Sequence, residues 1–261
     1  MTAVQPPDPT TQVEWLTDLT GAGYTERSFL LRRRTGTVPG VLWSPPGGAA
    51  PPAVLLCHGG STHKRGDRQL RMGRWFASSA GLAAIAIDGP QHGDRVPAPL
   101  EASLYQRLIA DEGIDRVTDR MTADWLAAVS AVAALGLADD GNVSVFGLSM
   151  GARFGLPAAA GLGSRLRCAV LGKFGLREAA PLPPGLSAPA LTLAAARAVT
   201  APVLFHVQWD DALFPRDGQF ELFGALGSAD KRLCARPGPH GFTHPDDEGS
   251  WQEFISQRGH P

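Results

Sequence analysis

Short runs of consecutive apolar residues alternate along this chain with longer stretches in which apolar positions recur every three or four residues. AVLLC (53–57), AAIAID (83–88), NVSVFG (142–147), CAVLG (168–172), PVLFHVQ (202–208) and KRLCA (231–235) are of the first kind. Near-continuous apolar runs of this length read as strands buried on both faces. Two earlier runs, 27–34 and 38–43, flank Thr35-Gly36-Thr37 and read as an antiparallel hairpin at a sheet edge. Helical spacing marks 67–79, 119–135, 151–162, 217–226 and 249–257. In 119–135, Trp125, Leu126, Val129, Val132 and Ala133 fall on one face. Strands alternating with helices predict βαβ units, hence an α/β fold with a mostly parallel central sheet of about eight strands and helices on both faces. Two segments, 89–118 and the Pro-rich 175–200, have no clear period. Each follows the carboxyl end of a strand, where open α/β sheets place their ligand crevice, so both are read as loops or small helices that shape a pocket. Residues 1–23 are read as an N-terminal tail with a short helix, and 24–261 as a single domain.

Composition narrows the class without changing that outline. The 261 residues are 44% hydrophobic and 19% charged, enough apolar material for a substantial core. Lys plus Arg number 24 against 25 Asp plus Glu, a formal charge of −1, and no block of one sign stands out. Nucleic acid is therefore not expected as the partner, since phosphate binding needs a basic face. The apolar runs are far shorter than the roughly 20 residues of a membrane span, so no membrane is expected either. Three cysteines, Cys57, Cys168 and Cys234, an odd number, argue against a disulfide framework, and MTAVQPPDPTTQ has no secretory pattern. A cytoplasmic location is the expectation.

The chemistry begins at Gly147-Leu148-Ser149-Met150-Gly151, which lies between a predicted strand and a predicted helix. This is the pattern of a nucleophile elbow: a sharp turn pushes the serine Oγ into the crevice, and any side chain at either glycine collides with neighbouring backbone. The Met150 N–H, at the start of the helix, is placed to stabilise an oxyanion. A serine hydroxyl needs a base to become a nucleophile, and the base needs an acid to orient it. The last predicted strand runs into Arg236-Pro237-Gly238-Pro239-His240-Gly241, a turn-rich loop that makes His240 the candidate base. His206, inside a strand, and His58, at a strand end, suit packing or loop geometry; His244, between Thr243 and Pro245, lacks the tight turn. For the acid, PVLFHVQ leads into Trp209-Asp210-Asp211-Ala212-Leu213-Phe214-Pro215, where two carboxylates compete.

These motifs, in the order Ser149, Asp, His240 and each at a strand end, resemble those of the α/β-hydrolase superfamily over nearly the whole chain from about residue 24. The resemblance implies that the acid is followed by two residues, an apolar residue and proline, which selects Asp211 over Asp210. Cys57-His58-Gly59-Gly60-Ser61 resembles the His-Gly-Gly loop that supplies a second oxyanion donor, here the Gly60 N–H. Compact size and the following His63-Lys64 pair make the chain look most like dienelactone-hydrolase-like serine esterases. Those that open dienelactones carry cysteine at the elbow; serine here favours ordinary ester hydrolysis. Ser61, and the run His63-Lys64-Arg65, are candidates for contacting substrate. Asp88-Gly89-Pro90-Gln91-His92-Gly93 resembles a structural turn of the superfamily, with His92 a further candidate pocket residue. Pro157 departs from the pattern, because proline inside a helix removes a hydrogen bond.

The resemblance implies a small-molecule ester or acyl substrate and no cofactor. No Cys/His spacing of a zinc site and no phosphate-binding glycine loop is present, so no metal is expected. A thioesterase, a biosynthetic acyltransferase or a carbon–carbon hydrolase would use the same three side chains. A non-catalytic ligand-binding relative would be expected to have lost one of them.

Overall fold

The computed structural model describes residues 12–260. Nine strands form one sheet: β1 (Gln12–Gly21), β2 (Tyr24–Arg33), β3 (Gly36–Ser44), β4 (Pro52–Cys57), β5 (Ala83–Ile87), β6 (Asp139–Leu148), β7 (Leu166–Gly172), β8 (Val203–Gln208) and β9 (Lys231–Arg236). Their order across the sheet is β1-β2-β3-β5-β4-β6-β7-β8-β9. The first three strands are an antiparallel meander that joins β5 antiparallel; from β5 onward every pairing is parallel. This is the expected mostly parallel α/β sheet.

Helices α1 (Asp67–Ser79), α2 (Ala102–Glu112), α3 (Ile114–Ala134), α4 (Met150–Leu162), α5 (Pro189–Ala198), α6 (Arg216–Ala225) and α7 (Pro245–Gly259) fill the connections. Two apolar layers result. Met72 and Phe76 of α1 pack with Trp251, Phe254 and Ile255 of α7 on one face, while α2 to α6 cover the other. Strand β4 shows why its run is continuously apolar: Ala53, Leu55 and Cys57 enter one layer, Val54 and Leu56 the other. At roughly 1.5–3 kcal/mol for each large apolar side chain buried, this double layer is the main support of the strand ends that carry the site. Among the described residues, no helix is long and apolar enough to cross a membrane.

Three expectations need correction. Of the segment 1–23, read as a tail with a short helix, residues 1–11 lie outside the described ones, and the rest instead contributes strand β1 from Gln12, so the sheet begins before residue 24 and has nine strands among the described residues where about eight were expected. Gln12-Val13-Glu14-Trp15 alternates with the period of a strand. Gly23, at φ +77°, makes the tight turn into β2, and the Trp15 ring meets Phe29 edge-on. Helix α3 starts at Ile114 rather than 119, because Ile114, Val117 and Met121 continue its buried face backward. Helix α7 starts at Pro245, four residues early: proline suits a first helical position, and His244 and Asp247 form a reciprocal capping box. The two irregular segments do contain small helices, α2 and α5, and α4 continues through Pro157 as one helix.

Candidate active site

Every candidate residue sits just beyond the carboxyl end of a parallel strand. Strand β6 delivers Ser149, whose backbone is held at φ +59°, a region L-residues rarely adopt. The neighbouring sequence explains why the turn can form. A Cβ on Gly147 would lie 2.3 Å from the Gly151 carbonyl oxygen, and one on Gly151 would lie 2.4 Å from that of Cys57. The Ser149 N–H donates to the Gly172 carbonyl at 2.9 Å, which ties the elbow to the end of β7.

Ser149 Oγ lies 2.8 Å from His240 Nε2, and His240 Nδ1 lies 2.7 Å from Asp211 Oδ2. The acceptor-only carboxylate assigns the proton to Nδ1, leaving Nε2 to accept from the serine hydroxyl. Asp211 is fully used: Oδ1 accepts the N–H groups of Leu213 and Phe214 at 2.9 Å each, and its side chain is wholly buried. Asp210 points elsewhere, accepting the Gly238 N–H at 2.8 Å, so it ties down the loop that carries His240. The two adjacent carboxylates are thereby separated into different contacts.

The loop after β4 brings Gly60 to the cavity opposite Met150. Met150 is the first residue of α4, so its N–H is one of the helix's leading donors that have no intrahelical acceptor. Glycine at 60 leaves room for Tyr105: a Cβ there would fall 2.2 Å from the Tyr105 hydroxyl, so the loop or the ring would have to shift. Two imidazoles brace this loop. His58 Nδ1 is 2.8 Å from the Gly59 carbonyl oxygen while its Nε2 accepts the Gly89 N–H at 2.7 Å; His92 Nε2 is 2.8 Å from the Gly60 carbonyl oxygen. Burial pushes His58 down to about 4, so it is a neutral loop residue. His206 is likewise buried and lowered to about 4, and His244 caps α7. Neither reaches the serine.

Around these groups lies a cavity of about 700 Å³. Ser61, His63 and His92 line it. Lys64 does not: it is buried, with its ammonium 2.6 Å from both Asp88 and Asp94. A buried ammonium requires such partners, and folding supplies them from the next strand end. Arg65 likewise turns away, onto Glu26. Sequence reasoning missed Tyr105, Arg153 and Lys173, which also line the cavity. Lys173 follows β7 as the other candidates follow their strands, and that position was the available signal. Arg153 is committed to Glu178, 2.7 Å away, and to the Leu186 carbonyl.

The ligand atoms of His206, Cys234 and Asp247 come within 4.8 Å of one another, a grouping that sequence spacing did not reveal. Asp247 already carries Arg236 at 2.8 Å and the His244 N–H at 2.9 Å, and Lys173 and Arg68 act on it electrostatically. A metal cation would enter a site whose single carboxylate is already balanced.

No protein-family model and no curated protein matches the sequence. Solved structures do. A cold-adapted esterase from an Arctic intertidal metagenomic library, solved with bound PEG, is 31% identical with a TM-score of 0.79, covering 94% of this chain and 99% of that one. An acetyl xylan esterase from a Paenibacillus species is 19% identical (TM-score 0.72; 97% and 90% covered). A dienelactone hydrolase from Anabaena variabilis is 22% identical (TM-score 0.63; 90% and 97% covered). At those lower identities the last two speak for a shared fold.

Proposed function

The chain belongs to the esterases of the α/β-hydrolase superfamily, and from that premise we propose that it is a dienelactone-hydrolase-like serine esterase that hydrolyses a carboxylic ester of a small or medium-sized molecule through an acyl-enzyme on Ser149. His240 takes the proton from Ser149 as Oγ attacks the ester carbonyl. Asp211 keeps the imidazole in the tautomer that can accept it and stabilises the imidazolium that forms. The N–H groups of Met150 and Gly60 stabilise the oxyanion. His240 then protonates the departing alcohol, and in the second step it activates water to release the acid.

The observation that carries this reading is the unbroken hydrogen-bond line from Ser149 and His240, which line the cavity, to the buried Asp211 behind them. Thioesters and carbon–carbon bonds are open to the same three side chains, but the esterase relative at 31% identity favours oxygen esters. The whole domain, including β1, works as one hydrolase unit. Its three free cysteines suit the reducing cytoplasm. Hydrolysis of p-nitrophenyl acetate by the purified chain, abolished in Ser149→Ala, is the test; turnover that survives the substitution removes the mechanism.

A further inference from the structure

Lys173 does something the acyl-transfer scheme leaves unexplained. It is buried and non-glycine, yet its backbone is held at φ +47°, a strained conformation that persists only where the surroundings enforce it. Its N–H donates to the His206 carbonyl at 2.8 Å, and the preceding residue, Gly172, accepts the Ser149 N–H. The side chain then crosses to the loop bearing His240. Its ammonium is 3.3 Å from the His240 carbonyl oxygen, bonds the Phe242 carbonyl, and is 3.5 Å from Thr243 Oγ1. Two consecutive residues thus hold the nucleophile's main chain on one side and the base's main chain on the other.

We propose that Lys173 is a positioning residue, a charged latch that fixes the 240–243 main chain so that the His240 imidazole stays in line between Ser149 and Asp211. The inference rests on His240 being the base. An ammonium has three donors, and the loop oxygens occupy them, so Lys173 lines the cavity without a donor free for substrate.

The groups that face it come from every neighbouring element. Arg68 of α1, which also donates to Thr243 Oγ1 at 2.9 Å, repels its charge; Asp247 of α7 and Asp211 after β8 attract it; His206 of β8 is buried and neutral. Burial, with Arg68 adding to it, outweighs the two carboxylates and brings Lys173 down from 10.5 to about 8. The latch therefore releases on the alkaline side of neutrality. The sign for stability is opposite: between about pH 8 and 10.5 the unfolded chain binds this proton more tightly than the folded one, so the group's contribution to stability rises with pH. Activity lost over that window on account of Lys173 is not unfolding.

The test is the pH dependence of kcat and KM for p-nitrophenyl acetate, a neutral ester, corrected for spontaneous hydrolysis, in wild type, Lys173→Arg and Lys173→Met. Wild type is expected to lose kcat with an apparent pKa near 8. Lys173→Arg keeps its charge throughout and should move that limb upward. Lys173→Met should lower kcat at neutral pH by roughly tenfold to hundredfold, the scale of a displaced catalytic group, with KM nearly unchanged and the limb gone. A folded Lys173→Met with wild-type kcat and a wild-type limb overturns the latch, as does a variant that raises KM alone, which would make Lys173 a substrate contact. Should Lys173→Met not fold, an alkaline limb left unmoved in Lys173→Arg overturns it equally. Ser149→Ala run alongside separates the two readings: activity surviving there removes the mechanism itself, whereas a dead Ser149→Ala beside an unaffected Lys173→Met removes only the latch.

Discussion

Ser149 Oγ and His240 Nε2 meet at 2.8 Å although 91 residues separate them in the chain. The meeting is a product of sheet topology. Strands β6 and β9 are parallel with two strands between them in the sheet, so their carboxyl ends open on the same edge, and the loop after β9 reaches back over β7 and β8.

On the proposed mechanism, that geometry makes Ser149 the hydroxyl to be captured covalently. A fluorophosphonate should add one equivalent of mass to the peptide containing Ser149, and Ser149→Ala should remove both the label and turnover, with kcat falling on the order of 10⁴ to 10⁶. Peptide mass spectrometry reads the first outcome and steady-state kinetics the second. A label on any other residue would move the nucleophile.

The two adjacent carboxylates give a sharper comparison. Asp211→Asn presents an amide to His240 Nδ1, favouring the wrong tautomer, and should lower kcat by about 10⁴ while the protein stays folded. Asp210→Asn loses only the acceptor that steadies Gly238 in the histidine loop and should cost about tenfold or less. The reverse ranking, at equal thermal stability, would sink the assignment of the acid to Asp211.

What the sequence made legible follows from where local rules are strict. The elbow tolerates only glycine at 147 and 151 because backbone lies within 2.4 Å of any added Cβ, so its pattern survives in the letters alone. The continuous apolar runs were equally plain, since strands buried on both faces leave no polar positions. Lys64 was read as a substrate contact because the carboxylates that bury it lie 24 and 30 residues further on and leave no local signal. Tyr105 was invisible for a related reason: its place against Gly60 exists only once α2 packs over the oxyanion loop. Strand β1 was missed because its alternation stops at Trp15-Leu16 after four residues and most of its side chains remain exposed.

The packing of Gly60 against Tyr105 is itself testable. Gly60→Ala puts a methyl 2.2 Å from the Tyr105 hydroxyl and must displace one or the other. If the loop moves, its N–H leaves the oxyanion and kcat should fall by roughly 10² to 10³, the range for losing one such donor. Adding Tyr105→Phe removes the clashing oxygen and should restore part of that loss. A double variant no better than Gly60→Ala would locate the damage elsewhere than this contact.

Acid stability should follow two of the buried histidines, His58 and His206. His58 and His206 are each lowered from 6.5 to about 4, mainly by burial, so the unfolded chain binds more protons than the folded one in that interval. Their contribution to stability is complete above about pH 6.5 and is lost as pH falls toward 4. The melting temperature should therefore decline over this window. His58→Asn, destabilised at neutral pH, should show a shallower decline; a slope identical to wild type would mean that His58 is not one of the groups responsible.

Substrate range follows from the shape of the cavity. Its volume of about 700 Å³ is that of a pocket for a single small molecule. Tyr105 and Ile109 of α2, Leu182 and Leu186 before α5, and Leu213 and Phe214 after the acid supply its apolar wall. Short and medium acyl chains can be held against that wall while the ester carbonyl stays at Ser149. A sixteen-carbon chain would have to leave the enclosure and expose its methylenes to water, forfeiting about 0.8 kcal/mol for each one not buried. p-Nitrophenyl acetate and butyrate should thus be turned over well, p-nitrophenyl palmitate poorly, and a chelator should change neither rate because every step of the mechanism runs through side chains and backbone donors. Palmitate hydrolysed faster than acetate would refute the compact acyl pocket. If neither ester is turned over while fluorophosphonate still labels Ser149, the nucleophile stands and the natural reaction is a more specialised acyl transfer or a carbon–carbon cleavage.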